Sequence, residues 1–290
     1  MTTDLPVFPG KFPRFVAEHP RDRRRIAMGS RALIGGGGQL LALAARSSPH
    51  RAAHTATRWW AGAATRLLRL GIRTEGLEHV DADERYLVVS LHEGFADVLA
   101  LLRLPLDLRF AARDELFAWP HLGRYLRATS QVRVDENPSR ASLRRFYGEV
   151  EAAFDAGESL VLFPQGTILG VEVAFRRGTS RIARRFDRPV LPVVLTGGHR
   201  VWEHPYSPLV RLDQSMAMHV LPPIPGAHFT PTRARTVERH MKKLALSAAA
   251  PVRHYVPERD GWWDDYQFEI DADFGDVAAQ VADHRSSLTG

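Results

Sequence analysis

Short apolar runs alternate with amphipathic helical segments between residues 76 and 225. Apolar runs of about four to eight residues are typical of buried strands, and strands separated by helices favour an α/β fold with a mainly parallel central sheet flanked by helices. Strands are predicted at 86–90, 107–112, 130–134, 159–163, 190–195 and 216–221. Helices between them are predicted at 95–103, 114–127, 138–156 and 175–186.

Three regions divide the chain of 290 residues. Residues 1–74 are predicted to form an irregular, proline-containing arm and a helical hairpin made of segments 24–46 and 50–71, which is a candidate membrane-facing element. Residues 75–230 are predicted to be the α/β core. Residues 231–290 are predicted to hold a C-terminal helix and an aromatic cap.

The second helical segment, 50–71, is predicted to be basic and amphipathic. Apolar residues recur at helical spacing from Trp59 to Leu70, and arginines lie beside them. Such a helix can lie in the interface of a bilayer or pack on the α/β core, and the pattern leaves both interpretations open. The aromatic stretch that contains Trp262 and Trp263 is interpreted as a packed cap rather than a binding surface.

The balance of charge narrows the classes of partner. Lys and Arg number 39 against 33 Asp and Glu, which gives a net charge of +6 and a pI near 10.0. This sign suits nucleic acid, an anionic membrane or a phosphorylated small molecule. Because the charge is scattered and the sequence has no RNA-binding aromatic motif or zinc finger, nucleic acid is not an expected partner.

Missing residues and motifs exclude several function classes. The sequence has no cysteine, which excludes disulfides, thiolate catalysis and zinc–thiolate sites. It also lacks the Gly-x-Ser-x-Gly elbow of serine hydrolases and a glycine-rich nucleotide loop after a strand. A signal-peptide pattern and an apolar run of bilayer length are absent from the sequence. We therefore expect a cytoplasmic protein that is peripheral on the inner face of the cell membrane.

A histidine and an aspartate stand where one predicted strand gives way to a helix. The apolar run through Val88 and Val89 leads to His92, and Asp97 follows in the first helical turn. Sites in α/β proteins form at this end of a strand, and a carboxylate there can orient an imidazole that acts as a general base. Gly94 permits a tight turn beside the pair. The alternative is a helix-capping histidine with an aspartate that compensates the helix dipole.

Two further turns carry groups suited to an anion. Pro164 ends the predicted strand 159–163, and Gly166 and Thr167 then offer backbone N–H groups to an oxyanion. The helix start at 175–178 combines two guanidiniums with a helix N-terminus, which suits a phosphate. The plainer interpretations are an ordinary turn in the first case and a solvated basic helix start in the second.

In this order and spacing the segments resemble the 1-acylglycerol-3-phosphate acyltransferase family, over roughly residues 75–225. The family carries His-x-x-x-x-Asp first, Phe-Pro-Glu-Gly-Thr-Arg third and an apolar, proline-containing strand last. The chain matches these motifs with residues 92–97, 163–167 and 190–195. Its segment 113–116 resembles the family's Lys-x-Glu-Leu, and residues 175–178 resemble Phe-Lys-x-Gly.

The resemblance implies roles for individual residues. His92 and Asp97 are the implied catalytic pair, with His92 as the base and Asp97 as its orienting acid. The implied substrate-binding residues are Gly94, Phe95, Arg113, Arg133, Phe163, Pro164, Gln165, Gly166, Thr167, Arg176 and Arg177.

Three positions depart from the family pattern. Gln165 stands where the family usually has Glu, and Ile168 stands where it usually has Arg. The second motif region lacks the Arg expected at a strand end, for which Arg133 is a substitute. In the family these positions are associated with the phosphate and glycerol of the acceptor. The resemblance therefore implies intact catalysis and leaves the acceptor open.

The implied reaction moves a fatty acyl chain from acyl-CoA or acyl carrier protein to a hydroxyl of a lysophospholipid-type acceptor, such as 1-acylglycerol-3-phosphate. No bound cofactor and no metal are expected. The expected partners are a membrane lipid acceptor, an anionic membrane surface and acyl carrier protein as an alternative donor. The alternatives are another acceptor, such as a glycolipid or a pigment, and a non-catalytic role in binding lipid.

Overall fold

The predicted alternation of strands and helices builds one seven-stranded sheet. The computed structural model describes residues 16–37, 43, 51–119, 121–168, 171, 173–202, 209–247 and 272–286. The strands are β1 (Val16–Ala17), β2 (Gly71–Glu75), β3 (Leu87–Ser90), β4 (Leu108–Arg113), β5 (Val132–Val134), β6 (Ser159–Leu162), β7 (Val190–Thr196), β8 (Leu209–Val210) and β9 (Ser215–Val220). The helices are α1 (Arg23–Ser30), α2 (Arg51–Leu68), α3 (Asp97–Leu101), α4 (Leu122–Ala128), α5 (Arg140–Asp155), α6 (Gly178–Phe186), α7 (Gly198–Val201), α8 (Pro231–Ser247) and α9 (Gly275–Ser286).

The sheet is mainly parallel, which confirms the expected fold class. Its strand order is β2-β9-β7-β3-β6-β4-β5, and all neighbours run parallel except β7 and β9. β1 and β8 form a separate parallel pair. The sequence analysis missed β2 because this strand carries Arg73 and Glu75 and has no apolar run. Charged side chains are common on such edge strands, where they discourage pairing with another chain.

The central strands are buried on both faces, which explains why they appear in the sequence as continuous apolar runs. On one face, α2 and α3 contribute Ala64 and Leu99 to the core. On the opposite face, α5, α6 and α8 contribute Val150, Ile182 and Met241. The carboxyl ends of β3, β4, β6 and β7 share one edge of the sheet, since β3 pairs parallel with both β6 and β7, and β6 with β4. A site is expected at this edge.

The predicted helix 114–127 is wrong as a single element. The structure has a 3₁₀ turn at Asp114–Ala118 and a separate helix, α4. Trp119 between them is extended, with φ −68° and ψ 139°, because a residue that precedes proline is disfavoured in the helical region. The other predicted helices of the core are present with shifted ends, and α6 begins at Gly178 rather than at residue 175.

The N-terminal hairpin is described in part. α1 continues into a π-helical segment, Arg31–Gly37, and the Nε1–H of Trp60 on α2 donates to the carbonyl oxygen of Leu33 at 2.9 Å. The remainder of the predicted first helix, apart from Leu43, lies outside the described residues, as does the aromatic stretch with Trp262 and Trp263. The boundaries at residues 74 and 230 stay a prediction, and β2 spans the first of them.

None of the helices that the structure describes combines the length and apolarity needed to cross a lipid bilayer.

A buried cluster of charges joins α2 to the sheet. The Nε2 atom of His54 lies 2.6 Å from Oε1 of Glu158, and Glu158 also pairs with Arg109 of β4. Arg109 and Glu158 are only 5% and 3% exposed. A buried guanidinium stays charged, so it is tolerated only while a carboxylate lies beside it. Glu158 therefore supports both the sheet and the helix packed on it.

Replacing Glu158 with Ala is expected to lower the free energy of unfolding by about 3–5 kcal/mol, because Arg109 would be left as a buried charge without its carboxylate. Urea denaturation followed by circular dichroism measures the change. The matched control is Glu151→Ala on the exposed side of α5, which should shift stability by less than about 0.5 kcal/mol. Equal stability of Glu158→Ala and the wild type would contradict this role.

Candidate active site

His92 and Asp97 form a hydrogen-bonded pair at the carboxyl edge of the sheet. His92 follows β3, and Asp97 is the first residue of α3. The Nδ1 atom of His92 lies 2.7 Å from Oδ2 of Asp97, whose side chain is fully buried. A carboxylate partner places the proton on Nδ1, so Nε2 is left as a base. The structure thus brings the two predicted catalytic residues together.

Two backbone donors hold the same carboxylate. The N–H groups of Glu93 and Gly94 donate to Oδ2 of Asp97 at 2.6 and 3.0 Å. Backbone N–H groups and the start of a helix both favour an ionised carboxylate. Asp97 is therefore placed to orient His92 and to stabilise the imidazolium that forms when Nε2 takes a proton.

Phe163 orients the imidazole from its other side. The rings of His92 and Phe163 are stacked, with centroids 3.8 Å apart and planes inclined by 16°. Phe163 directly follows β6, the parallel neighbour of β3, so the sheet itself brings the two rings together. Sequence analysis had assigned Phe163 to substrate binding, and the structure adds this contact with the base.

Two glycines are needed because backbone approaches the pair closely. A Cβ atom on Gly198 would lie 2.1 Å from Oδ1 of Asp97, and one on Gly94 would lie 2.7 Å from the carbonyl oxygen of Trp202. Both distances are far inside van der Waals contact, so any side chain here must displace the backbone. The turn after β7 therefore packs directly against residues 91–96, which join β3 to α3 and are called the catalytic loop below.

A second buried acid–imidazole pair fastens that turn, and sequence analysis missed it. One oxygen of Glu93 accepts from the N–H of Gly197 at 2.8 Å and lies 2.9 Å from Nδ1 of His199. Burial lowers the pKa of nearby Arg200 below its usual value. The charge of the Glu93 carboxylate opposes this shift but does not cancel it. Glu93 and its partners lie more than 100 residues apart in the chain, so no local pattern relates them. The only signal in the sequence was the acidic Glu93 itself, in a turn next to an apolar strand.

A cavity of about 510 Å³ opens beside the histidine. Its lining includes the polar side chains of His92, Thr167 and Arg176, and apolar residues of the N-terminal helices contribute much of the remainder. Those apolar residues include Ile26, Leu33, Trp60, Ala64 and Leu67. The volume lies within the range of about 300–1,000 Å³ that is usual for small-molecule pockets. Its apolar walls suit a long hydrocarbon chain.

The predicted oxyanion turn follows β6. The N–H of Gly166, which has a φ of +71°, donates to the carbonyl oxygen of Phe163 at 3.0 Å, so this group closes the turn. The Thr167 N–H has no acceptor among the residues that the structure describes, and Thr167 lines the cavity. Of the two expected donors, the Thr167 N–H is therefore the one that stays available to an oxyanion, and its role stays a prediction. The guanidinium of Arg176 packs on Gly166, where a Cβ would lie 2.8 Å from Nε.

The other predicted substrate residues separate into two groups. Phe95 and Pro164 line the cavity, and Gln165 is buried beneath the turn. Arg113 lines the cavity but pairs with Glu115 at 3.1 Å and Glu136 at 3.0 Å.

Arg133 and Arg177 lie outside the cavity lining. Nε of Arg133 lies 3.2 Å from Asp114, and its guanidinium covers the Phe117 ring at 4.5 Å. The side chain of Arg177 is exposed at the start of α6. Arg133 thus does not line the cavity, and its substitution for the missing strand-end arginine stays a prediction.

This geometry defines a class of site. A buried carboxylate fixes one nitrogen of a histidine, and the histidine also lines an apolar cavity. Such an arrangement is suited to removing a proton from a polar group carried by a long apolar molecule.

Comparison with known proteins finds acyltransferases over the part of the chain that holds the site. Residues 71–196 match the family model described as Acyltransferase. The chain is 29% identical over 133 residues to a 1-acyl-sn-glycerol-3-phosphate acyltransferase of Bacillus subtilis, covering 45% of this chain and 65% of that one. It is 30% identical over 157 residues to a lyso-ornithine lipid O-acyltransferase of Rhodobacter capsulatus, covering 51% and 54%. Residues 71–196 are thus similar to acyltransferase domains, which agrees with the resemblance seen in the sequence.

A solved structure shares the fold. The crystal structure of the 1-acyl-sn-glycerophosphate acyltransferase PlsC from Thermotoga maritima aligns with a TM-score of 0.62 and 19% sequence identity. The alignment covers 77% of this chain and 94% of PlsC. By sequence, the chain spans about a third to two thirds of the length of the curated relatives it matches.

Adding a methyl group at Gly198 is expected to lower kcat by about a hundredfold, because a displacement of about 1 Å at the catalytic pair has an effect of that size. Gly198→Ala would push Asp97 away from His92. The control is Gly148→Ala on α5, where an added Cβ meets nothing within 4 Å. Steady-state acyl transfer measures both variants. Equal rates for the two variants would show that the close approach at Gly198 has no catalytic consequence.

Proposed function

We propose that the protein is an O-acyltransferase, which moves a fatty acyl chain from a thioester donor to the hydroxyl of a lysophospholipid-type acceptor. The observation that carries the proposal is the His92–Asp97 pair, whose histidine lines a large, mostly apolar cavity. The donor is acyl-CoA or acyl carrier protein, whose acyl chain would occupy the apolar end. The family match of residues 71–196 supports the same reaction class.

In the proposed reaction, Nε2 of His92 takes the proton from the acceptor hydroxyl as its oxygen attacks the thioester carbonyl carbon. Asp97 stabilises the resulting imidazolium. The Thr167 N–H, on a turn that lines the cavity, is the proposed donor to the oxyanion of the tetrahedral adduct. The C–S bond then breaks, and the proton on Nε2 passes to the departing sulfur, which leaves an ester and a free thiol. The reaction needs no covalent intermediate on the protein.

The acceptor head group is the part of the proposal in which this chain differs from its family. Ile168 is buried and lines the cavity where the family usually has an arginine, and Gln165 replaces a glutamate. Arg113 is already paired with two carboxylates. Arg176 is the remaining cavity-lining guanidinium in the described part of the chain. These residues favour a second candidate acceptor, with a head group other than a phosphate monoester; one relative is named for a lyso-ornithine lipid.

His92→Ala is expected to lower acyl transfer by about a hundredfold or more, because the base is lost. Radiolabelled palmitoyl-CoA incubated with a total membrane lipid extract measures the transfer, and the lipid labelled by the wild type alone identifies the acceptor. His228→Ala, at an exposed histidine outside the cavity, is the control and should keep full activity. Turnover of His92→Ala near the wild-type rate would rule out the proposed base.

The proposed acceptor resides in a bilayer, and the N-terminal helices offer a surface for reaching it. Met28 on α1 and Trp59 on α2 are 72% and 62% exposed, the two most exposed large apolar residues of the described chain. Arg23 and Arg24 are exposed on α1. Aromatic and apolar side chains beside arginines suit the interface of an anionic membrane. We therefore place the protein peripherally on the inner face of the cell membrane.

The double variant Met28→Ser/Trp59→Ser is expected to weaken binding to vesicles of phosphatidylglycerol and phosphatidylethanolamine at least tenfold, since a fully buried apolar side chain contributes about 1.5–3 kcal/mol. Vesicle flotation measures the bound fraction. Leu77→Ser is the control, because Leu77 is 40% exposed but lies between β2 and β3. Unchanged flotation of the double variant would reject this membrane surface.

A further inference from the structure

A lysine and a glutamate of α8 form an ion pair inside the protein. Nζ of Lys242 lies 2.8 Å from Oε1 of Glu238, and the two side chains are 0% and 2% exposed. The Lys242 ammonium also lies over the ring of Phe274, 4.4 Å from its centroid. Burying two charges is costly, and apolar side chains of similar size are often equally stable in their place. Packing of α8 alone therefore does not explain why these two positions are charged.

A second contact of the glutamate gives its charge a purpose. Oε1 of Glu238 accepts a hydrogen bond from the backbone N–H of Phe175 at 2.8 Å. Phe175 is partly buried in the connection between β6 and α6, 63 residues earlier in the chain. A backbone N–H that is withdrawn from water needs an acceptor, and an ionised acceptor forms a stronger hydrogen bond than a neutral one. Lys242 keeps the carboxylate in place, so the pair fixes the backbone at Phe175.

The next residue, Arg176, lines the cavity. Its backbone N–H donates to the carbonyl oxygen of Pro164 at 2.8 Å, so two successive N–H groups tie this segment to α8 and to the turn after β6. Its guanidinium packs on Gly166, where an added Cβ would lie 2.8 Å from Nε. A long side chain that must be ordered on binding reduces the affinity for a ligand. The anchored backbone limits this loss, because the arginine starts from a fixed point beside the turn.

This anchor comes from the C-terminal part of the chain. Glu238 and Lys242 lie outside residues 71–196, which match the family model. Val171, in the β6–α6 connection, packs against the small core cluster that contains Phe274. The connection is therefore held both by α8 and by the segment that precedes α9. Neither residue of the ion pair lines the cavity, so an effect of the pair on a substrate must pass through the backbone that it holds.

From these contacts we infer that the buried Glu238–Lys242 pair positions Arg176 for binding the acceptor. The inference rests on the proposed function and adds two positioning residues to its site. The acceptor hydroxyl must meet His92, so the head group attached to it enters the cavity that His92 and Arg176 both line. Loss of the anchor therefore raises the KM for the acceptor and leaves kcat unchanged, because the base and its acid are untouched.

Two double variants that differ in a single group test the inference. Glu238→Met/Lys242→Met replaces the ion pair with apolar side chains of similar length and leaves the Phe175 N–H without its acceptor. Glu238→Gln/Lys242→Met, the matched control, also removes both charges but keeps an oxygen that can accept from this N–H. Neutral substitutes for a buried ion pair are often tolerated by the fold. Thermal denaturation followed by circular dichroism checks that both variants are folded.

Acyl transfer is measured from saturating palmitoyl-CoA to increasing amounts of the total membrane lipid extract, which gives an apparent KM for the acceptor. We expect Glu238→Met/Lys242→Met to raise this KM about fivefold or more with little change in kcat, because the guanidinium loses its fixed position. The control should keep both values within about twofold of the wild type. Arg176→Gln should raise the KM about fivefold or more in the wild type but less than about twofold in the Met/Met variant, since coupled residues are not additive.

A milder variant covers the case in which the Met/Met variant unfolds. Glu238→Asp keeps a charge beside Lys242 but withdraws the carboxylate from the Phe175 N–H by one methylene, and it should raise the apparent KM about threefold. Equal KM values for the two double variants, a loss confined to kcat, or an additive effect of Arg176→Gln overturns the inference while the proposed acyl transfer stands. Unfolding of the Met/Met variant with a wild-type KM for Glu238→Asp assigns the pair to stability alone and also overturns it. Failure of the wild type to transfer palmitate counts against the proposed function itself.

Discussion

One carboxylate oxygen organises the site. Oδ2 of Asp97 accepts from the imidazole of His92 and from the backbone N–H groups of Glu93 and Gly94. The catalytic loop is thereby folded around a single buried anion, and the helix that begins at Asp97 adds its dipole. Such an anion is stable only while its donors stay in place. The packing of α3, the turn after β7 and the histidine rotamer all depend on this cluster.

A second layer of polar contacts keeps that cluster in place. Glu93 extends from the catalytic loop to Gly197 and His199, and Gly198 leaves no space between this turn and Asp97. Neither Glu93 nor His199 lines the cavity. Their contribution is therefore to position the catalytic loop. They tie this loop to the turn after the buried strand β7, so the imidazole of His92 is held in place indirectly.

Local patterns allowed the core strands and the catalytic pair to be predicted. Buried strands such as Val190–Thr196 are continuous apolar runs, and His92 and Asp97 lie within one turn of chain. Features set by distant contacts escaped prediction. The edge strand β2 has no apolar run and is fixed by pairing with β9, and Glu93 meets His199 only in the folded chain. Gly166 carried the expected sequence signal, but its N–H closes its own turn.

The cavity joins two parts of the chain with different origins in the sequence. His92, Thr167 and Arg176 belong to residues 71–196, which match the family model, whereas Ile26, Leu33, Trp60 and Leu67 come from the segment before that match. A change in these four side chains would reshape the hydrocarbon wall without touching the histidine or its acid. Related proteins can therefore differ in the length of acyl chain that they prefer while they keep the same catalytic residues. Removing the N-terminal segment would open the cavity and would also remove the surface proposed to meet a bilayer.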